Sequence, residues 1–208
     1  MRMRVLRASD FVSAIALIFS VYNFWQTSQK PADLKVFVPP VINYASPYQN
    51  SNFEAFAIPV TIINEGARTG TILSMALVVT DLQNNVSKQF YSANFGPWTI
   101  EKSRTGDFRP FAPISLAGRA SYTDTVQFYA RDDEKVMQIV PDAGRYKFTL
   151  TLDAPNLDER FFDRFISKPN APVNFEMVLA ELDHRAFTSG NGTVTLHHKD
   201  WQSSASSQ

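Results

Sequence analysis

The stretch Arg145-Tyr146-Lys147-Phe148-Thr149-Leu150-Thr151-Leu152-Asp153 decides the fold class. Tyr146, Phe148, Leu150 and Leu152 share one parity, and Lys147, Thr149 and Thr151 share the other. A strand sends successive side chains to opposite faces, so this alternation describes a β-strand with one face inside. Working outward, Val173–Leu182, Ala186–Ser189 and Thr193–His197 read as later strands. Leu34–Val38, Phe56–Ile63, Ile72–Val79, Val86–Tyr91, Phe111–Leu116 and Ser121–Tyr129 read as earlier ones. Asn64-Glu65-Gly66 and Asp142-Ala143-Gly144 supply turns, and Tyr44–Asn52 has the composition of a loop. Pro39-Pro40 stops the first strand or places it at an edge.

Short strands without strand–helix alternation predict antiparallel sheets packed face to face. The expected fold is therefore mainly β, an immunoglobulin-like β-sandwich. One helix is expected within it, at Leu157–Ile166, with Asn156 as its cap and Lys168-Pro169 at its end. Leu157, Phe161 and Phe165 fall on one face of that helix, which would cover one open end of a sheet.

The 208 residues suit one domain with tails, and 17 phenylalanines supply core material. There is no cysteine, which excludes a disulfide scaffold, a thiol nucleophile and thiolate-bound metals. Formal charge is zero but unevenly placed. Within residues 1–30, Arg2, Arg4, Arg7 and Lys30 oppose Asp10, a balance of +3, and the remainder carries −3. A mildly acidic domain with no basic run argues against nucleic-acid binding.

The three arginines precede Phe11–Trp25, which has no charge. Extended to residues 8–27 it reaches about 20 residues, the length that spans a bilayer. The bulky Asn23–Ser28 does not suit signal cleavage. The expectation is a single-pass signal anchor at 8–27, with a cytoplasmic N-terminus at 1–7 and the main domain periplasmic or extracellular. A neck with a first strand would follow at 28–52, then the sandwich at 53–200 and a disordered tail at 201–208.

Ala57–Val79, with its central Asn64-Glu65-Gly66, resembles the strand–Asn-x-Gly–strand segment of immunoglobulin-like domains in uncharacterised, membrane-anchored bacterial proteins. Phe111–Phe128 and Gly144–Leu152 are similar in style. The resemblance implies a sandwich and an anchor, and brings no catalytic residue with it.

Chemistry-bearing residues are sparse. His184, His197 and His198 are the histidines, and the adjacent pair would point to opposite strand faces. No spacing matches a zinc site, a nucleophile elbow or a phosphate loop. Asp132-Asp133-Glu134 lacks the ligand spacing of a calcium loop and reads as a solvated turn. Neither a catalytic centre nor a metal or cofactor is expected. Partner contact is assigned to loop aromatics: Trp98, after Gly96-Pro97, with Phe95 and Phe108 beside it.

Three functions compete. The first is an anchored domain that binds or scaffolds a protein partner, held to a membrane by its N-terminal helix. The second is a lipid- or hydrophobe-handling sandwich similar to the late-embryogenesis-abundant class, and the third a hydrolase of unfamiliar type. A filled core favours the first, a deep apolar pocket the second, and convergence of His184 with an acid and a nucleophile the third.

Overall fold

The computed structural model describes residues 8–47, 54–96, 108–131, 138–154, 171–189 and 192–199. The chain is mainly β. Helix α1 covers Ala8–Phe24 and runs into a π-helical turn at Trp25–Gln29. Strands β1 (Leu34–Phe37), β2 (Val41–Ala45), β3 (Ala55–Asn64), β4 (Gly70–Ile72), β5 (Ser74–Asp81) and β6 (Val86–Phe95) follow. Then come β7 (Arg109–Pro110), β8 (Ile114–Leu116), β9 (Ser121–Ala130), β10 (Gly144–Asp153) and β11 (Val173–Leu179). Helix α2 (Glu181–Ser189) and β12 (Thr193–His198) complete the order.

The expected sandwich is corrected by the pairing. Eight antiparallel strands close on themselves in the order β2-β3-β9-β6-β5-β10-β11-β12, with β12 returning to β2. β9 makes the closure that two separate sheets would lack. It pairs with β3 along Ala55–Ile63 and with β6 through Phe95↔Val126 and Phe90↔Ala130. A register shift between Ser92 and Asn94 bends β6, so that it serves β5 at one end and β9 at the other. Closure removes the bare edges that a sandwich keeps.

β1 and β2 lie end to end along one edge of β3, covering Thr61–Asn64 and Ala55–Ala57 respectively. Pro39 and Pro40 make the break between them, and Pro59 falls opposite that break, where a missing N–H costs no bond on that edge. The segment read as a neck thus supplies two strands, and Tyr44–Ala45, read as loop, belong to one of them. The alternation of β10 is realised: Tyr146, Phe148 and Leu150 are buried inside the barrel. Phe56 is central there, edge-on to Phe90 (5.0 Å) and to Phe148 (5.3 Å). Phe148 stacks on Phe175 at 5.1 Å. Eight strands enclose just enough room for such side chains.

Residues Ala186–Ser189, read as strand, lie in α2. Glu181 and Asp183 stand in its first turn, where acidic groups suit the helix dipole. Phe187 is buried against Tyr44 at 5.8 Å, so α2 closes the barrel end at which β3 begins. The expected helix at 157–166, Asp132–Glu134 and the tail at 201–208 lie outside the described residues.

The anchor is corrected as well. No helix among the described residues is long and apolar enough to cross a membrane. Helix α1 has 17 residues, and the chain leaves the α-helix at Trp25 for the polar Gln26-Thr27-Ser28-Gln29. The uncharged part, Phe11–Phe24, spans about 21 Å at about 1.5 Å per residue, against roughly 30 Å of hydrocarbon. The inside and outside assignments of residues 1–7 and of the main domain depended on that span.

Candidate functional site

Two features stand apart from ordinary packing: a charged cluster inside the barrel and an apolar helix outside it. The cluster is built by three strands and a loop at the α2 end. Glu54, one residue before β3, and Lys88 of β6 form an ion pair through Glu54 Oε2, and both are fully buried. Tyr44 of β2 donates its hydroxyl to Glu54 Oε1 at 2.5 Å, and the Ile139 N–H donates to the same oxygen at 2.8 Å. Lys88 Nζ also lies 6.0 Å from the Phe90 ring centroid.

Burial pushes the Glu54 carboxyl above its ordinary range, against the opposing pull of Lys88, Tyr44 and the Ile139 amide. Burial, with the carboxylate beside it, holds the Tyr44 hydroxyl well above its usual range. Ile139 and Val140 are themselves buried, so their loop and Phe187 shut the cluster from solvent. These groups are spent on one another: the carboxylate accepts from three donors, and the geometry ties β2, β3, β6 and the loop together. Sequence reasoning missed the cluster. The available signal was Lys88 at a barrel-facing position of β6, where the alternation of Lys88 with Phe90 puts a cation on the apolar face.

Outside the barrel, α1 exposes Phe11, Val12, Leu17, Ile18, Phe19, Val21, Tyr22 and Phe24, each more than half accessible. At about 100° per residue these cover roughly two-thirds of the circumference. Ser13, Ala16, Ser20 and Asn23 form the remaining stripe. Ser20 Oγ of this stripe donates to the Ala16 carbonyl (2.8 Å), and Thr27 Oγ1, in the following π-helical turn, donates to the Asn23 carbonyl (2.7 Å).

The base of α1 is fixed to the barrel end at which β3 finishes. The Lys30 carbonyl accepts from the N–H groups of Ala67 (3.0 Å) and Arg68 (3.1 Å). Arg119 donates to the Gln26 carbonyl at 3.1 Å, and Arg68 to Gln29 Oε1 at 2.9 Å. Asn64 organises the loops there. Its Nδ2 donates to the carbonyls of Arg68, Leu116 and Ala117, and its Oδ1 accepts from Asp33 and Gly66. Gly66 is required by proximity rather than by φ: a Cβ there would lie 2.0 Å from the Pro31 carbonyl oxygen.

The aromatic contact residues divide. Phe95 is buried, stacked on Phe111 at 4.7 Å, with the Arg109 guanidinium 5.5 Å from its ring centroid. Phe108 is half-buried, and Trp98 lies outside the described residues. His184 Nε2 contacts the Pro141 carbonyl at 2.9 Å, which helps seat α2. His197 and His198 occupy successive positions of β12. Among the described residues no three His, Asp or Glu side chains converge as metal ligands. A shallow cleft of about 210 Å³ lies beside α2, between Asp183, Phe187, Asn43 and Thr195.

No protein-family model matches the chain, and none of the curated proteins matches it. Among solved structures, the chain is similar to the crystal structure of a Bordetella pertussis protein described as ApaA, at 16% identity and a TM-score of 0.30. The match covers 82% of this chain and 97% of that one, and at that TM-score it carries no argument.

Proposed function

We propose that this protein acts by contact rather than by turnover, as a filled barrel that docks to a lipid phase through α1. The observation that carries this reading is the exposed apolar surface of α1, built from Phe11, Leu17, Ile18, Phe19 and Phe24. A helix apolar over most of its circumference requires cover. Each large side chain moved from water into an apolar phase contributes roughly 1.5–3 kcal/mol. The inward-turned hydroxyls of Ser20 and Thr27 suit the same environment, since their hydrogen bonds need no water.

What supports contact over catalysis is the use made of the interior charges. Glu54 and Lys88 are enclosed and neutralise each other, with Tyr44 and the Ile139 amide completing the carboxylate's partners. A catalytic acid or base must reach a substrate. The core of Phe56, Phe90, Phe128 and Phe148 likewise favours a packed support over a carrier of apolar ligands.

Flotation with phosphatidylcholine vesicles tests the reading. The full chain should rise with the vesicles, and the combined variant Leu17→Gln, Ile18→Gln, Phe19→Gln should remain below. Flotation of both to the same extent, or of neither, would refute it.

A further inference from the structure

We infer that α1 selects loosely packed lipid, as on the convex face of a strongly curved membrane, and that it lies flat in that surface. The inference rests on the lipid reading of α1 given above and names the state of the lipid it takes. Helices that lie in an interface are of two kinds. One carries lysines and arginines on its polar face and is drawn to anionic headgroups. The other pairs bulky apolar residues with an uncharged polar face, and holds where gaps between headgroups already exist. α1 is of the second kind. No charged residue falls between Asp10 and Lys30. The polar stripe is Ser13, Ser20 and Asn23 with Ala16 among them, and the Ser20 hydroxyl is spent on the Ala16 carbonyl at 2.8 Å. Such a stripe offers headgroups little. Binding then falls to the exposed Phe11, Leu17, Ile18, Phe19 and Phe24, wide side chains that need room in the surface. Tight packing closes that room and curvature opens it.

Two observations lay the helix flat. Its uncharged length of about 21 Å does not reach across roughly 30 Å of hydrocarbon. Its C-terminal end is also held out of the lipid: Arg119 donates to the Gln26 carbonyl at 3.1 Å and Arg68 to Gln29 Oε1 at 2.9 Å, which keeps the polar turn against the barrel. An upright helix would carry Ser13, Ser20 and Asn23 into the hydrocarbon beside the apolar side chains, whereas a flat one leaves that stripe at the water. Ile18 then faces the lipid and Ser20 the water. These two positions stand roughly 160° apart around the axis and about 3 Å apart along it.

Both parts are tested on the full chain with phosphatidylcholine vesicles at about 1 M salt, where a screening length of about 3 Å removes the pull of charges elsewhere in the chain. Small sonicated vesicles and large extruded ones of the same lipid present one headgroup and differ in packing. Each further large side chain that finds a gap multiplies affinity roughly 10- to 100-fold, so the small vesicles should bind at least about tenfold tighter. Equal affinity, or tighter binding to the large vesicles, overturns the inference and leaves the lipid reading standing. Binding to neither overturns the lipid reading and the inference with it. Since the chain has no cysteine, Ile18→Cys and Ser20→Cys give single labels. On the small vesicles, a quencher carried on the acyl chain should dim the label at 18 and spare the one at 20. Equal quenching, the mark of an upright helix, or the reverse pattern refutes the flat placement.

Discussion

Lys88→Met tests whether the interior charges are structural ballast for the barrel. The substitution keeps most of the side-chain volume and removes the cation. Glu54 is left fully buried, with the Tyr44 hydroxyl and the Ile139 amide as donors. Breaking a buried ion pair from one side costs about 3–5 kcal/mol, because the remaining charge is uncompensated. The two surviving hydrogen bonds place the expected loss at the lower end, about 3 kcal/mol at pH 7. The pH dependence has a definite sign. Burial already raises the Glu54 carboxyl above 4.5, and loss of Lys88 removes the cation that opposes this rise. A carboxyl raised in the folded state favours folding while protonated, below its unfolded value, and loses that contribution as pH climbs through the folded value. The deficit of the variant should therefore be largest at neutral pH and shrink as pH falls toward the ordinary carboxylate range. Adding Glu54→Gln should restore most of the stability at pH 7, since the amide oxygen still accepts from Tyr44 and Ile139. Urea unfolding followed by circular dichroism, on both singles and the double, measures the cycle. A loss under about 1 kcal/mol for Lys88→Met, or a double variant whose loss is the sum of the singles, would refute the coupling.

Phe148→Ala, at the centre of the ring cluster, should cost about 3–5 kcal/mol in the same assay, and a loss under about 1 kcal/mol would remove Phe148 from the interior. Gly66→Ala should cost about 3 kcal/mol, the upper part of the overpacking range, because its Cβ would collide with the Pro31 carbonyl; unchanged thermal unfolding would show that the approach is looser. Asn64→Ala, which strands two N–H donors and up to three carbonyls, should cost about 2–4 kcal/mol and raise amide exchange at Gly66. Exchange at Gly66 unchanged from the parent would remove Asn64 from its organising role.

The strands were legible because each is written in its own residues. Period two in Arg145–Asp153 and in Phe56–Ile63 is a local property, and both segments pair as strands. The closure was not legible. Whether β9 joins a second sheet or bridges β3 to β6 depends on partners that no local pattern names, and both arrangements need the same alternation. Ala186–Ser189 misled for a related reason: four residues carry too little periodicity to separate strand from helix, and Phe187 gains its buried place from tertiary packing against Tyr44. The N-terminal segment was read as longer than it is, since the stretch was extended over polar residues that form the π-helical turn.

The sites divide along the same line. A loop aromatic near Gly96-Pro97 looks like a contact residue because loops lie outside, yet Phe95 ends a barrel strand and turns in against Phe111. The Glu54–Lys88 pair was hidden by the opposite error. The two residues are 34 apart in sequence, and each alone reads as surface charge. Their pairing becomes intelligible only once the ring is closed. β3 and β6 do not touch as neighbours, since β9 stands between them, so a bond from Glu54 to Lys88 has to cross the interior. In a packed barrel, apolar contacts alone tolerate many side-chain arrangements, whereas a carboxylate fed by three donors has one place in which all are satisfied. That constraint fixes the α2 end of the barrel, while the joint around Asn64 fixes the α1 end. The helix is thereby carried by a barrel pinned at both ends.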